Sequence, residues 1–334
     1  MWRQNVKRWA GTESLQIEEA ARAEGLAAAK AVIGRVPINL SGVMLAAFAL
    51  GNLLQSFGEG WRMACGIAAA FMLVLLLLKL LLFPKALLAD ISQPVTAGVA
   101  GTFTMGLMFC AVYLTQYFGA GSFGLWLWQT AVGLHAVLMI YYFFRFIRKF
   151  KLEQIYTVCF IVYVGFAAAG VTAPVFGYQM SVGTFAFWFG LCAFAVLFFV
   201  VTARMIKRPP AEPFKPLTAI YAAPLSLCIV ADIQSAASSN VMLLIALLAA
   251  SSAIYVFALV CALRCLSRPF YPSWAGMTFP FVISANAVKQ TTAWVAAAGH
   301  PLPLGPVVLA ETIAAGCFVV CVAARYMLHI FAGK

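Results

Sequence analysis

The sequence predicts an all-α integral membrane protein of ten transmembrane helices, built as five hairpin repeats. Three observations carry that prediction. The 334 residues are 64% hydrophobic and only 10% charged, with mean hydropathy +0.96, whereas soluble domains run about 25% charged. Beyond a polar start, the chain divides into ten apolar runs, each able to cross a hydrocarbon core of about 30 Å at 1.5 Å per residue. Basic residues then fall almost entirely in every second connection between those runs.

Residues 1–35 are polar and charged and read as a cytoplasmic N-terminal segment. An alanine- and glutamate-rich stretch from about Glu13 to Ile33 is predicted to form an amphipathic helix at the membrane surface. Residues 36–331 form the ten-span domain. The predicted spans are Pro37–Phe57, Trp61–Phe83, Val95–Phe118, Phe123–Ile147, Ile155–Ala173, Gly183–Ile206, Leu217–Ser235, Val241–Leu263, Trp274–Ala298 and Leu304–Phe331.

The connections decide orientation. Those after even-numbered spans carry Lys85, then Arg145, Arg148, Lys149 and Lys151, then Lys207, Arg208 and Lys215, then Arg264 and Arg268. Those after odd-numbered spans carry almost nothing basic beyond Arg62. The positive-inside rule therefore predicts a multi-pass cell-membrane protein with both termini in the cytoplasm. It also accounts for the net charge of +12, so no nucleic-acid partner is expected.

Proline and polarity separate the spans into two kinds. Odd spans begin with or contain Pro37, Pro94, Pro216, Pro224, Pro272 and Pro280, and span five ends at Pro174. Even spans have no interior proline and hold runs such as FMLVLLLLKLLLF. Asn39, Ser41, Asn52, Thr102, Thr104, Thr157, Thr172, Ser226, Gln234 and Asn286 lie on odd spans. So do Gly42, Gly98, Gly101, Gly106, Gly165 and Gly170, which permit close helix approach. The pattern predicts five inner helices around a central pore and five outer helices shielding them from lipid. The alternative is a bundle whose polar residues bond across helices.

Chemistry of the enzymatic kind finds little support. There is no phosphate-cradling glycine loop, no HExxH, and no His, Cys and carboxylate cluster on neighbouring spans. His135, His300 and His329 are far apart, and His135, within span four, reads as a bond to a neighbouring helix. Nine cysteines lie in or near apolar runs, with Cys261/Cys265 and Cys317/Cys321 spaced for one helical face. Without nearby histidines they read as small hydrophobes, and no metal or cofactor is expected.

The most informative stretch is Phe270–Gln290, FYPSWAGMTFPFVISANAVKQ. Pro280 within it cannot donate a backbone N–H, which predicts a helix kink around Phe279 and Phe281. In lipid such a break is tolerated only beside protein or a water-filled cavity. With Thr278, Ser284, Asn286, Lys289 and Gln290 in the same run, this helix reads as pore wall. Intramembrane charges add three pore-associated candidates. Lys289 and Glu311 lie at a matched depth of roughly 12–14 Å below the outer surface on two helices of one hairpin. They are placed either to form an ion pair or to leave Lys289 attracting anions in the outer vestibule. Asp232 lies nearer the outer mouth of span seven, solvated or paired with a neighbour.

This stretch resembles the ninth span of the tellurite-resistance/dicarboxylate transporter family, which includes the plant guard-cell slow anion channels. The segments QPVTAGVAGTFTMGL, CFIVYVGFAAAGVTAP and KPLTAIYAAPLSLCIV are similar to the family's third, fifth and seventh helices. The resemblance covers nearly the whole membrane region, and the WxxxTFP segment is its most specific part. It implies a homotrimer in which each protomer has its own pore, lined by the odd helices and shut by a phenylalanine that corresponds to Phe279. Members commonly carry Leu or Met after this proline; here the residue is Phe281, so both rings are candidate gates. The implied partners are the lipid bilayer and small inorganic or carboxylate anions. Two activities follow from the resemblance: an anion channel or channel-like uniporter, and a proton-coupled C4-dicarboxylate/malate transporter. Export of toxic oxyanions such as tellurite is a further one. A proton relay would have to use Asp232, Lys289, Glu311 or His135.

Overall fold

The computed structural model describes residues 22, 24–238 and 240–333. Nine helices among them are long and apolar enough to cross a membrane. These are Leu40–Phe57, Glu59–Leu82, Pro94–Phe118, Gly121–Ile147, Val158–Phe176, Gln179–Lys207, Glu212–Ser235, Val241–Leu266 and Gly305–Ala332. They correspond to spans one to eight and ten of the sequence reading. At the position of the expected ninth span lie a 3₁₀ segment, Pro272–Met277, and the helix Phe279–Ala297. Its polar residues keep that helix below the apolarity of the others.

Burial separates the spans as their composition predicts. In the most apolar stretch of spans one, three, five and seven, 72, 78, 72 and 89% of residues are buried. In spans two, four, six, eight and ten the shares are 22, 22, 22, 28 and 33%. Large apolar side chains left exposed lie mostly on the even spans, Phe71, Trp126, Phe199, Phe257 and Ile313 among them. A surface of that kind is stable only against lipid or another apolar partner.

The odd spans close a ring. One packs on three, three on five, five on seven, seven on nine, and nine back on one. Each even span lies outside, against its own hairpin partner and a neighbour in the ring. Each hairpin turns through a residue of positive φ: Gly58, Gly119, Gly177, Ala236 and Gly299. Four are glycine, which reaches that backbone region without a Cβ clash. At Ala236 the turn is held instead by Asp232, whose carboxylate accepts from the Ser238 N–H at 2.7 Å and from its hydroxyl at 2.6 Å.

Much inner-span polarity goes into bonds between helices. The Ser41 and Thr102 hydroxyls are 2.7 Å apart, Thr157 donates to the Leu217 carbonyl at 2.9 Å, and Ser226 and Ser251 are 2.7 Å apart. His135 bridges in the same way, with Nδ1 2.6 Å from Thr104 Oγ1 and Nε2 3.0 Å from the Val162 carbonyl. Before span one, residues 24–34 are helical and largely exposed until Ile33 meets the core. The rest of the expected Glu13–Ile33 helix lies outside the described residues.

Candidate functional site

Four of the five inner spans share one irregularity. Span three is broken at Ala100, between the helices Pro94–Val99 and Gly101–Phe118. Span five passes through a 3₁₀ turn at Val164–Phe166. Span seven runs as a 3₁₀ helix, Glu212–Ala222, before becoming α-helical at Ala223. Span nine breaks at Thr278. The even spans depart from α-helix only at their ends.

The breaks meet at a small central cavity of about 40 Å³. All five odd spans line it, Gly42 from one, Thr102 from three, Gly165 from five, Pro224 from seven and Phe279 from nine. No side chain in its wall is charged. A volume of this size admits only a few waters, since one needs about 10–15 Å³. Proline and glycine explain why the breaks fall here. Pro216 and Pro224 cannot donate backbone bonds, and a Cβ on Gly42 would come within 3.2 Å of the Ala275 Cβ.

Thr278 and Phe279 set the site's geometry. Thr278 has φ −109° and ψ −81°, and its hydroxyl donates to the Ala275 carbonyl at 2.7 Å. The helix starts afresh at Phe279, so Pro280 sits in its first turn, where a missing N–H costs nothing. The expected kink is therefore a helix break two residues before Pro280. Phe279 lines the cavity and stacks on no other ring among the described residues. Phe281 points elsewhere, stacking on Phe318 of span ten at 4.5 Å and meeting Tyr255 of span eight edge-on at 5.6 Å. The sequence left both rings as gates; only Phe279 lies in the cavity wall.

The expected Lys289–Glu311 ion pair is absent among the described residues. The Lys289 ammonium donates to the Leu53 carbonyl and to Ser56 Oγ, each at 2.7 Å, and so ties span nine to the end of span one. Glu311 instead faces Ser284 and Tyr255, and its Oε2 is buried without a hydrogen-bond partner. The physical reason is angular. Ser284 and Lys289 are five residues apart, about 140° around the helix, so equal depth does not bring the charges together. Neither residue lines the central cavity. Glu311→Met should raise stability by about 1–2 kcal/mol by removing a buried, unpartnered oxygen, and Lys289→Met should cost about 1.5–3 kcal/mol in charged hydrogen bonds. Thermal unfolding in detergent checks this. The two effects should add within about 0.5 kcal/mol, and strong coupling would restore the pair.

Asp232 is buried and engaged by Ser238 in the span seven to eight turn, so it is a structural brace. The mouth of the ring on the side of the basic connections opens as a vestibule of about 430 Å³. Asn39 lines both this vestibule and the central cavity. Spans one, three, seven and nine begin in its lining, so their N-terminal partial positive charges point into it. Arg35, Lys79 and Asp90 line it as well. Sequence reading singled out none of these three. The available signal was the short Pro84–Ile91 helix, which returns the chain to the start of span three. Some of the basic surface is already paired: Arg268 lies 2.5 Å and Lys215 3.7 Å from Glu212, and Arg208 lies 3.1 Å from Glu153.

Among curated proteins none matches the chain. The profile of the voltage-dependent anion channel family matches residues 35–331, which include the whole ring, its outer helices and the broken inner spans. With that match over most of its length, this multi-pass membrane protein belongs to the voltage-dependent anion channel family, whose activity is anion transport across the membrane.

Proposed function

We propose that residues 36–331 form a channel or channel-like uniporter for small inorganic or carboxylate anions, with the Phe279 ring closing the path at the central cavity. The observation that carries the reading is the cavity itself, where five inner spans meet, four of them break, and Phe279 forms part of an uncharged wall. An apolar ring across so narrow a space excludes water, and a dewetted constriction stops ions without a charge. When the ring swings aside, backbone N–H groups near the breaks and the helix N-termini supply a diffuse positive potential. Binding is then weak, which suits rapid passage.

The proton-coupled carrier needs a titratable relay along the path. His135, Asp232, Lys289 and Glu311 all lie outside the cavity wall, which favours the channel-like mechanism over dicarboxylate carriage or tellurite export. The basic connections support a cell-membrane protein with both termini in the cytoplasm. The apolar outer faces suit a homotrimer embedded in lipid, each protomer with its own path.

Anion flux from proteoliposomes under separately set ion and pH gradients tests the mechanism. Chloride or nitrate current that persists without a pH gradient is the expected result. Obligatory proton movement with each anion would replace the channel by the carrier.

A further inference from the structure

The vestibule on the basic side carries three charges in its wall. Arg35 precedes span one, Lys79 ends span two, and Asp90 lies on the Pro84–Ile91 helix that joins spans two and three. Among the residues lining this mouth Asp90 is the one carboxylate. Its side chain forms no ion pair among the described residues. Lys79 donates to the Gly34 carbonyl at 2.5 Å and sits 4.9 Å from the centre of the Phe83 ring. Arg35 donates to the Ile330 carbonyl at 3.4 Å. The two cations are thus held by backbone carbonyls, leaving Asp90 as a half-buried negative charge on a wall that otherwise attracts anions.

We propose that Asp90 sets how readily anions are admitted from the basic side, by cancelling part of the positive field that Lys79, Arg35 and the inner-span N-termini aim into the vestibule. The inference rests on reading the ring as an anion path. Asn39 joins vestibule and cavity, so a charge here acts on every ion that approaches Phe279 from this side. In aqueous surroundings one unit charge several ångströms away changes local anion occupancy by about two- to fivefold, and added salt weakens it over a Debye length of about 10 Å at 0.1 M.

The position also makes the charge adjustable. Burial pushes the Asp90 carboxyl above its ordinary value, with the nearby Lys79 ammonium pulling it back. Around it stand Lys79 from span two, Arg35 from the segment before span one, and the phenols Tyr141 and Tyr271; Tyr141 donates to the Ile91 carbonyl at 2.9 Å. Among these groups the Asp90 carboxylate is the one whose negative charge acid removes. Acid on the vestibule side therefore neutralises Asp90 within this cluster and strengthens the positive field.

The test uses the full-length chain in planar bilayers at low ionic strength, with chloride as the ion and Phe279→Ala as background so that the path conducts. Asp90→Asn is expected to raise chloride current driven from the vestibule side about two- to fivefold, an effect that shrinks at high salt. Asp90→Glu should leave it near the background value. Mild acid on the vestibule side should raise the background current and leave the Asp90→Asn current unmoved. An unchanged current in Asp90→Asn, or an equal rise in Asp90→Glu, overturns the proposal. Should Asp90→Asn fail to assemble, the acid response alone decides, and a current indifferent to vestibule-side pH overturns it. If Phe279→Ala conducts chloride but Asp90→Asn changes nothing, only the role of Asp90 falls. If Phe279→Ala itself carries no chloride, the anion path falls and this inference with it.

Discussion

Phe279→Ala is expected to raise anion conductance by about tenfold or more, since lowering a barrier by only about 1.4 kcal/mol has that effect on a rate. Its ring lies in the wall of the cavity where all five inner spans meet, and among the described residues it stacks on no other ring. Truncation to a methyl group leaves room for water in a space that now admits little. Anion ranking should change little, because the positive potential comes from helix ends and not from this side chain. Phe281→Ala is the control. That ring is fully buried between Phe318 and Tyr255, away from the cavity. Its removal should cost about 3–5 kcal/mol of stability while the path stays shut. Single-channel recording with thermal unfolding separates the two. Conductance that rises in Phe281→Ala and not in Phe279→Ala would assign the gate to the wrong ring, and a rise in neither would move it to another span.

Arg62→Met is expected to destabilise the protein by about 3–4 kcal/mol, from the loss of charged hydrogen bonds worth about 1.5–3 kcal/mol each and the stranding of their partners. Arg62 was the one basic exception among the neutral connections. The structure shows it as no loop charge: it is only 6% exposed, with Nε donating to Asn52 Oδ1 at 3.0 Å and a terminal nitrogen donating to Gln116. Its guanidinium also lies 4.9 and 5.2 Å from the ring centres of Tyr113 and Tyr117. It thereby ties spans one, two and three together at the neutral end. Arg62→Lys should recover little, because a point charge cannot reproduce a planar fork with two acceptors and two rings. Lys85→Met, in an exposed connection, should stay within about 0.5 kcal/mol of the parent. Thermal melts of the three variants in detergent check the ranking, and a harmless Arg62→Met would show that the cluster holds nothing together.

The sequence by itself determined the helical membrane class, the hairpin order and the division into inner and outer spans. These are properties of composition along one helix: a span rich in Leu and Phe is stable facing lipid, and one bearing proline, glycine and hydroxyls is stable only when covered. The burial of Leu40–Phe57 beside the exposure of Glu59–Leu82 follows directly. Tertiary structure alone decided which way side chains turn and where backbones give way. Depth along a helix is readable from residue count, but azimuth depends on how neighbours pack. That is why Lys289 and Glu311 share a level yet face different spans. Pro280 likewise announced an irregularity, whereas its place at Thr278 is visible only in the fold, beside the close approaches of Gly42 to Ala275 and of Gly276 to Leu217. Asp90 and Lys79, 11 positions apart in sequence, came to share one vestibule only because the Pro84–Ile91 helix folds back across the mouth of the ring.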